Sequence, residues 1–217
     1  MTLEQAVYER HSVRSYLTKP VPEDIRKKIE SALGEINAES GLHFQVLWDC
    51  PELFPDRIRN AGNCIAFIGK KSEGLDEAVG YYGAKIMLII QTLGLNSVWL
   101  AKTFNERKTK SKCDIPQGEE LDNVLAFGYG ENQGVPHKSK PVKKLYSCEG
   151  EAPESFMKGV EFAALAPTAI NQQQFLIKYA DGKVTFKAKV GPYNKIDLGI
   201  VRFFYDLGSG KIKDRAE

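Results

Sequence analysis

Arg10, Ser12 and Arg14 alternate within the stretch RHSVRSY, with His11 between the first two. An extended chain sends residues at a spacing of two to one side, and a helix brings residues at a spacing of four together. Arg10 and Arg14 therefore share one side in either geometry. Two guanidinium groups and a hydroxyl suit a phosphate, whose oxygens accept paired hydrogen bonds from arginine. Surface charge with local salt bridges is the alternative. A second basic group, Lys138 and Lys140 in HKSKPVKKL, offers mobile point charges for an anion or forms a solvated loop.

The stretch ALAPTAINQQQF, residues 164–175, poses a different problem. An apolar helix runs into Pro167, and then Thr168, Asn171, Gln172, Gln173 and Gln174 precede an apolar run. Side-chain amides carry donors and acceptors at once, so they suit a ligand edge that presents both; a solvated connection is the alternative.

Familiar catalytic patterns are absent from the sequence: there is no GxxxxGK[ST] phosphate loop, no GxSxG elbow and no HExxH helix. GYGENQG lacks the spacing of a dinucleotide fingerprint. Cys50, Cys64, Cys113 and Cys148 form no close pair, and with three histidines no zinc constellation arises, so no metal is expected. Thirty basic against twenty-eight acidic residues leave a net charge of +2, too little to imply nucleic acid. The most apolar run, AKIMLIIQTLGL, is too short for a membrane span, and the first residues do not read as a secretory signal. The expected setting is cytoplasmic.

The elements that must position these residues are interspersed helices and strands. Thr2 and Gln5 form a capping box for a first short helix. Pro22, Glu23 and Asp24 start a second, with Ile25, Ile29 and Leu33 on its buried face and Gly34 as its stop. LHFQVLW and NCIAFIGK read as strands, 73–94 as a long central helix, and GLNSVWLA and NVLAFGYG as a turn and further strands. KVTFKAK alternates as a strand, and KIDLGIVRFFYDLGSG is a helix stopped by Gly208. IRKKIESALGEINAESGLHFQVL and FMKGVEFAALAPTAINQQQFLIKY share a helix–turn–strand pattern, which suggests related halves of about 1–140 and 150–217 within one 217-residue domain. Residues 131–152 carry the weakest signal.

Taken together, RHSVRSY and APTAINQQQF resemble the flavin-dependent nitroreductase family. Arg10, Ser12, Arg14 and Tyr16 match its Arg-x-Ser-x-Arg-x-aromatic signature. Ala166, Pro167, Thr168, Asn171, Gln173, Gln174 and Phe175 are similar to its Ala-Pro-Ser-x-x-Asn-x-Gln-Pro-Trp segment, with Gln174 and Phe175 where proline and tryptophan are usual. In the family that segment follows the first long helix. Here GEINAES holds that place and the match lies near the other end, which resembles a divergent branch with rearranged halves.

The resemblance implies an α+β fold, a central, mainly antiparallel sheet flanked by helices, with internal pseudo-symmetry. It implies noncovalent FMN, NADH or NADPH as reductant, and a small electrophilic acceptor of nitroaromatic, quinone-like or related type. Arg10 and Arg14 would neutralise the FMN phosphate or support the electron-rich ring edge, Ser12 would donate to phosphate or ribityl oxygen, and Lys138 or Lys140 would complete the anion site. His11 would stand beside them. Asn171 and Gln173 would read the imide edge or ribityl hydroxyls, Pro167 and Thr168 would shape the turn below the ring, and Leu100 and Ala101 would bring backbone near it. No residue need be a nucleophile, because the flavin carries the hydride. A homodimer is the family habit, and the rearranged order admits a monomer. A specialised flavin reductase or dehydrogenase, and a nonenzymatic FMN store or sensor, are the alternatives.

Overall fold

The computed structural model describes residues 1–212 and divides the chain into two compact units. Among the described residues the first holds 10–75 and 86–136, and the second holds 2–9, 76–85 and 137–212, with Met1 grouped with the first. The class is α+β, as expected, but the strands form two sheets.

In the first unit, α2 (Glu23–Ser40) leads into β1 (Gln45–Leu47) and β2 (Asn63–Lys70); β3 (Asn96–Leu100), α4 (Glu106–Lys112) and β4 (Glu119–Gly128) follow the second half of α3 (Leu75–Thr92). The antiparallel sheet has the order β1-β2-β4-β3. Ile65, Ala66, Phe67 and Ile68 of β2 are all buried, as a central strand covered on both faces requires. The expected stop at Gly34 is corrected: α2 runs on to Ser40 because buried Ile36 continues the row of Ile29 and Leu33. It ends at Gly41, whose φ of 71° and N–H to Asn37 O at 2.9 Å make the left-handed cap. The helix α4, which no apolar stripe announces, is capped by Asn105 Oδ1 accepting from Lys108 N at 3.1 Å.

In the second unit, α1 (Leu3–Glu9) begins with the expected capping box: Thr2 N donates to Gln5 Oε1 at 2.8 Å and Gln5 N to Thr2 Oγ1 at 3.1 Å. The first half of α3 and α5 (Glu154–Ala164), β6 (Phe175–Ala180), β7 (Lys183–Ala188) and α6 (Asn194–Gly208) make up the rest, with β5 (Tyr146–Cys148) added parallel to β6. The sheet order is β5-β6-β7. Phe156, Phe162, Phe175, Phe203 and Phe204 are all buried. α3 and α6 touch backbone to backbone, since a Cβ on Gly80 would strike Ile196 O and one on Gly199 would strike Glu77 O. Arg202 pairs with Glu77, and Tyr81 donates to Asp206 Oδ2 at 3.0 Å.

Helix, strand, antiparallel strand and helix thus occur in the same order twice, as α2–β1–β2–α3 and as α5–β6–β7–α6.

Candidate functional site

In the first unit, residues 10–16 are extended. Ser12 pairs in parallel with Ser97, Val13 N donates to Ser97 O at 3.1 Å, and Tyr16 N donates to Arg59 O at 2.9 Å. The buried Val13 and Tyr16 anchor the strip, with the Tyr16 hydroxyl donating to Val13 O at 2.7 Å. Arg10 is only 4% exposed, and among the described residues its side chain has neither a hydrogen bond nor an ion pair; Nε is buried without a partner. Burial pulls its pKa down to about 10. Arg14 is exposed, with no side-chain hydrogen bond or ion pair among the described residues.

His11 is partly buried, and its Nδ1 lies 3.1 Å from Gln133 O. The turn at 130–134 lies against the strip: Gly134 has a φ of 72°, and a Cβ there would come within 2.7 Å of the His11 Cβ. Asn96 fixes that turn, accepting from Gly130 N at 3.2 Å and donating to Gln133 Oε1 at 3.0 Å. Leu100 closes β3, buried and paired with Val124, and Ala101 follows, partly exposed.

In the second unit, the expected residues of 138–140 and 167–173 are joined by hydrogen bonds. Asn171 Nδ2 donates to Lys138 O at 3.0 Å, Lys140 N donates to Gln173 Oε1 at 2.5 Å, and Lys140 Nζ donates to Gln173 O at 3.1 Å. Gln173 Nε2 donates to Ala164 O at 3.0 Å, and Thr168 Oγ1 accepts from Gln173 N at 3.0 Å. Gln173 is 1% exposed, so its amide is spent inside the protein and organises the segment. Asn171 and the Lys138 side chain are exposed, while Pro167 and Thr168 are partly so. Within 165–174 three non-glycine residues have left-handed backbone: Ile170 (φ 47°), Asn171 (φ 55°) and Gln173 (φ 45°).

One residue that sequence reasoning missed lies beneath this segment. Asp197, 5% exposed in the first turn of α6, accepts from Ala169 N at 2.9 Å and from Gln172 Nε2 at 2.7 Å. Burial raises its carboxyl to about 6 against the opposing pull of those bonds. The signal was a carboxylate set between the apolar Ile196 and Leu198 in the first turn of the helix.

The expected residues therefore fall in both units: Arg10, His11, Ser12, Arg14, Leu100 and Ala101 in the first, and Lys138, Lys140, Pro167, Thr168, Asn171 and Gln173 in the second. Among the described residues no His, Cys, Asp and Glu group could hold a metal, and no helix is long and apolar enough to cross a membrane.

The family described as "Putative TM nitroreductase" matches residues 2–209. The chain belongs to this nitroreductase family. Its fold is similar to that of a "putative nitroreductase" from Thermotoga maritima MSB8, with a TM-score of 0.72 at 22% identity, covering 97% of this chain and 85% of that one. A "putative nitroreductase in complex with FMN" from Desulfovibrio desulfuricans is similar over 70% of this chain and 96% of its own, at 19% identity and a TM-score of 0.53. A "Putative NADH Oxidase" from Clostridium acetobutylicum is similar over 64% and 96%, at 20% identity and a TM-score of 0.51. No curated protein matches the chain. At these identities the structural likenesses are of nitroreductase fold, which two chains of different substrate can share.

Proposed function

We propose that this nitroreductase-family protein is an FMN-dependent oxidoreductase that takes reducing equivalents from NADH or NADPH and passes them to a nitroaromatic, quinone-like or related electrophilic acceptor. The observation that carries the reading is Arg10, a buried guanidinium with no protein partner among the described residues. Burying an unpaired charge costs several kcal/mol (order of magnitude), so a chain keeps one where an anion completes it. Arg10 stands two residues from the Ser12 hydroxyl and four from the Arg14 guanidinium on a strip whose backbone is tied to Ser97 and Arg59. This donor set fits the anionic end of FMN.

Bound FMN would supply the hydride chemistry. The chain's own part is to bind and orient. Arg10, Arg14 and Ser12 would hold negative charge, and the Arg10 environment excludes water around that contact. Set against the ring edge instead of the phosphate, the same positive charge would favour the ring in its reduced form. In the second unit, Thr168 and Asn171 are assigned to flavin contacts on the resemblance of their segment, whereas Gln173 is assigned to holding that segment in place.

The test begins with the visible absorption spectrum of gently purified protein and mass identification of any released chromophore. FMN at about one per chain is expected, followed by NAD(P)H oxidation when nitroaromatic or quinone acceptors are added. A colourless protein that takes up no added FMN would overturn the reading. Arg10→Met separates a site from a packing feature: it should raise the melting temperature, by about 1 kcal/mol of stability, while abolishing FMN uptake. An equally stable variant with unchanged FMN affinity would remove Arg10 from the site.

A further inference from the structure

Asp197 is a buried carboxylate that the reading above does not use. Both of its oxygens bond outside their own helix, to the backbone of Ala169 and to the side chain of Gln172. Nothing in α6 requires it: the helix begins after Tyr193 without a side-chain cap, and Asp197 N is satisfied by Tyr193 O at 2.9 Å. The Gln172 amide that it holds also donates to Pro192 O at 2.7 Å, and a Cβ on Gly191 would collide with that amide. Gln172 is thus clamped from two sides.

What lies between the two bonds is the strained part of the chain. Ile170 and Asn171 have φ values of 47° and 55°. A β-branched residue pays heavily for left-handed backbone, and Ile170 recovers none of it by packing, since it is 89% exposed. Short-range turns at Asn171 N to Thr168 O and Gln172 N to Ala169 O, both 2.9 Å, are compatible with this conformation, but they are local and would persist in a relaxed turn. Asp197 grips the residues on either side of the strained pair and is itself fixed in a helix. With Ile170 and Asn171 so constrained, the Asn171 side chain reaches Lys138 O.

We propose that Asp197 is a positioning residue for flavin binding: by holding Ala169 and Gln172 it imposes the left-handed backbone at Ile170 and Asn171 and so presents residues 168–171 to the cofactor. The assignment rests on the FMN reading above. Asp197 touches no cofactor in this role, and its effect passes through backbone conformation.

That route makes the test specific. FMN affinity is measured by fluorescence titration for the native sequence, Asp197→Ala, Ile170→Gly and the double variant. Glycine adopts left-handed backbone without penalty, so it removes the need for an external grip. Asp197→Ala should weaken FMN binding at least about fivefold in the native background, and less than about twofold in the Ile170→Gly background. Equal losses in both backgrounds, or no loss in the first, would overturn the proposal, because a residue that only stabilises α6 gains nothing from glycine at 170. If Asp197→Ala does not fold, Asp197→Asn serves: it keeps an acceptor for Ala169 N and loses one oxygen acceptor, and the same ratio between backgrounds decides. A native protein that takes up no FMN overturns the functional reading and this assignment together, and shows itself before any substitution is made.

Discussion

The connections α2→β1 and α5→β6 perform the same topological task in the two units. The first takes four residues, 41–44, and places its positive φ on Gly41. Asn37 closes it locally, donating to Phe44 O and accepting from Phe44 N, each at 2.9 Å. The second takes ten residues, 165–174, places positive φ on Ile170, Asn171 and Gln173, and needs Lys140, Ala164 and Asp197 to hold it. A chain reversal needs only the first solution. The extra length, strain and buried charge of the second therefore serve something other than reversal, which is the physical reason to look for a ligand there.

The contrast can be broken most strongly by pH. A carboxyl raised from 3.8 to about 6 in the folded protein binds its proton more readily than in the unfolded chain. Its stabilising contribution is full below about 4 and is lost as pH rises through about 6, at most about 3 kcal/mol. Native protein should therefore lose melting temperature between pH 4 and 7 relative to Asp197→Asn; parallel profiles would mean the carboxyl is not buried as described. The first connection contains no acidic residue. Gln173→Ala should cost about 2 kcal/mol in chemical unfolding, since it leaves Lys140 N without its acceptor and opens a cavity. Asn37→Ala, the equivalent cut in the first connection, should cost about 1–2 kcal/mol. The smallest effects carry opposite signs: Gly41→Ala should destabilise by about 1 kcal/mol and Ile170→Gly should stabilise by about 0.5 kcal/mol. Melting curves of the two variants moving the same way would erase the distinction between the connections.

Much of this architecture could be read from residue order. The capping box of Thr2 and Gln5, the limits of β2 and the Gly208 end of α6 are local features, and local chemistry decided them. Gly34 misled because helix propensity is weaker than the burial of Ile29, Leu33 and Ile36 on one face. β5 was invisible because three residues become a strand only through their parallel partner β6. The candidate residues were legible by type, but their states were not. That Arg10 is buried without a partner among the described residues depends on burial itself, and that the Gln173 amide is consumed depends on Ala164, 9 residues away, and Lys140, 33 away. Asp197 escaped for the same reason: its partners are 25 and 28 residues distant.

The second unit draws on sequence-remote stretches, with Tyr8 of α1 edge-on to the ring of Phe162 and Lys158 paired with Glu4. On a ribosome, α1 leaves the exit tunnel long before α5 and α6 have been translated. Its apolar face must wait uncovered while the intervening residues are added, and the first half of α3 waits likewise for Gly199. Chaperone engagement should therefore concentrate on these early segments, and the second unit should be the later of the two to gain protection during synthesis.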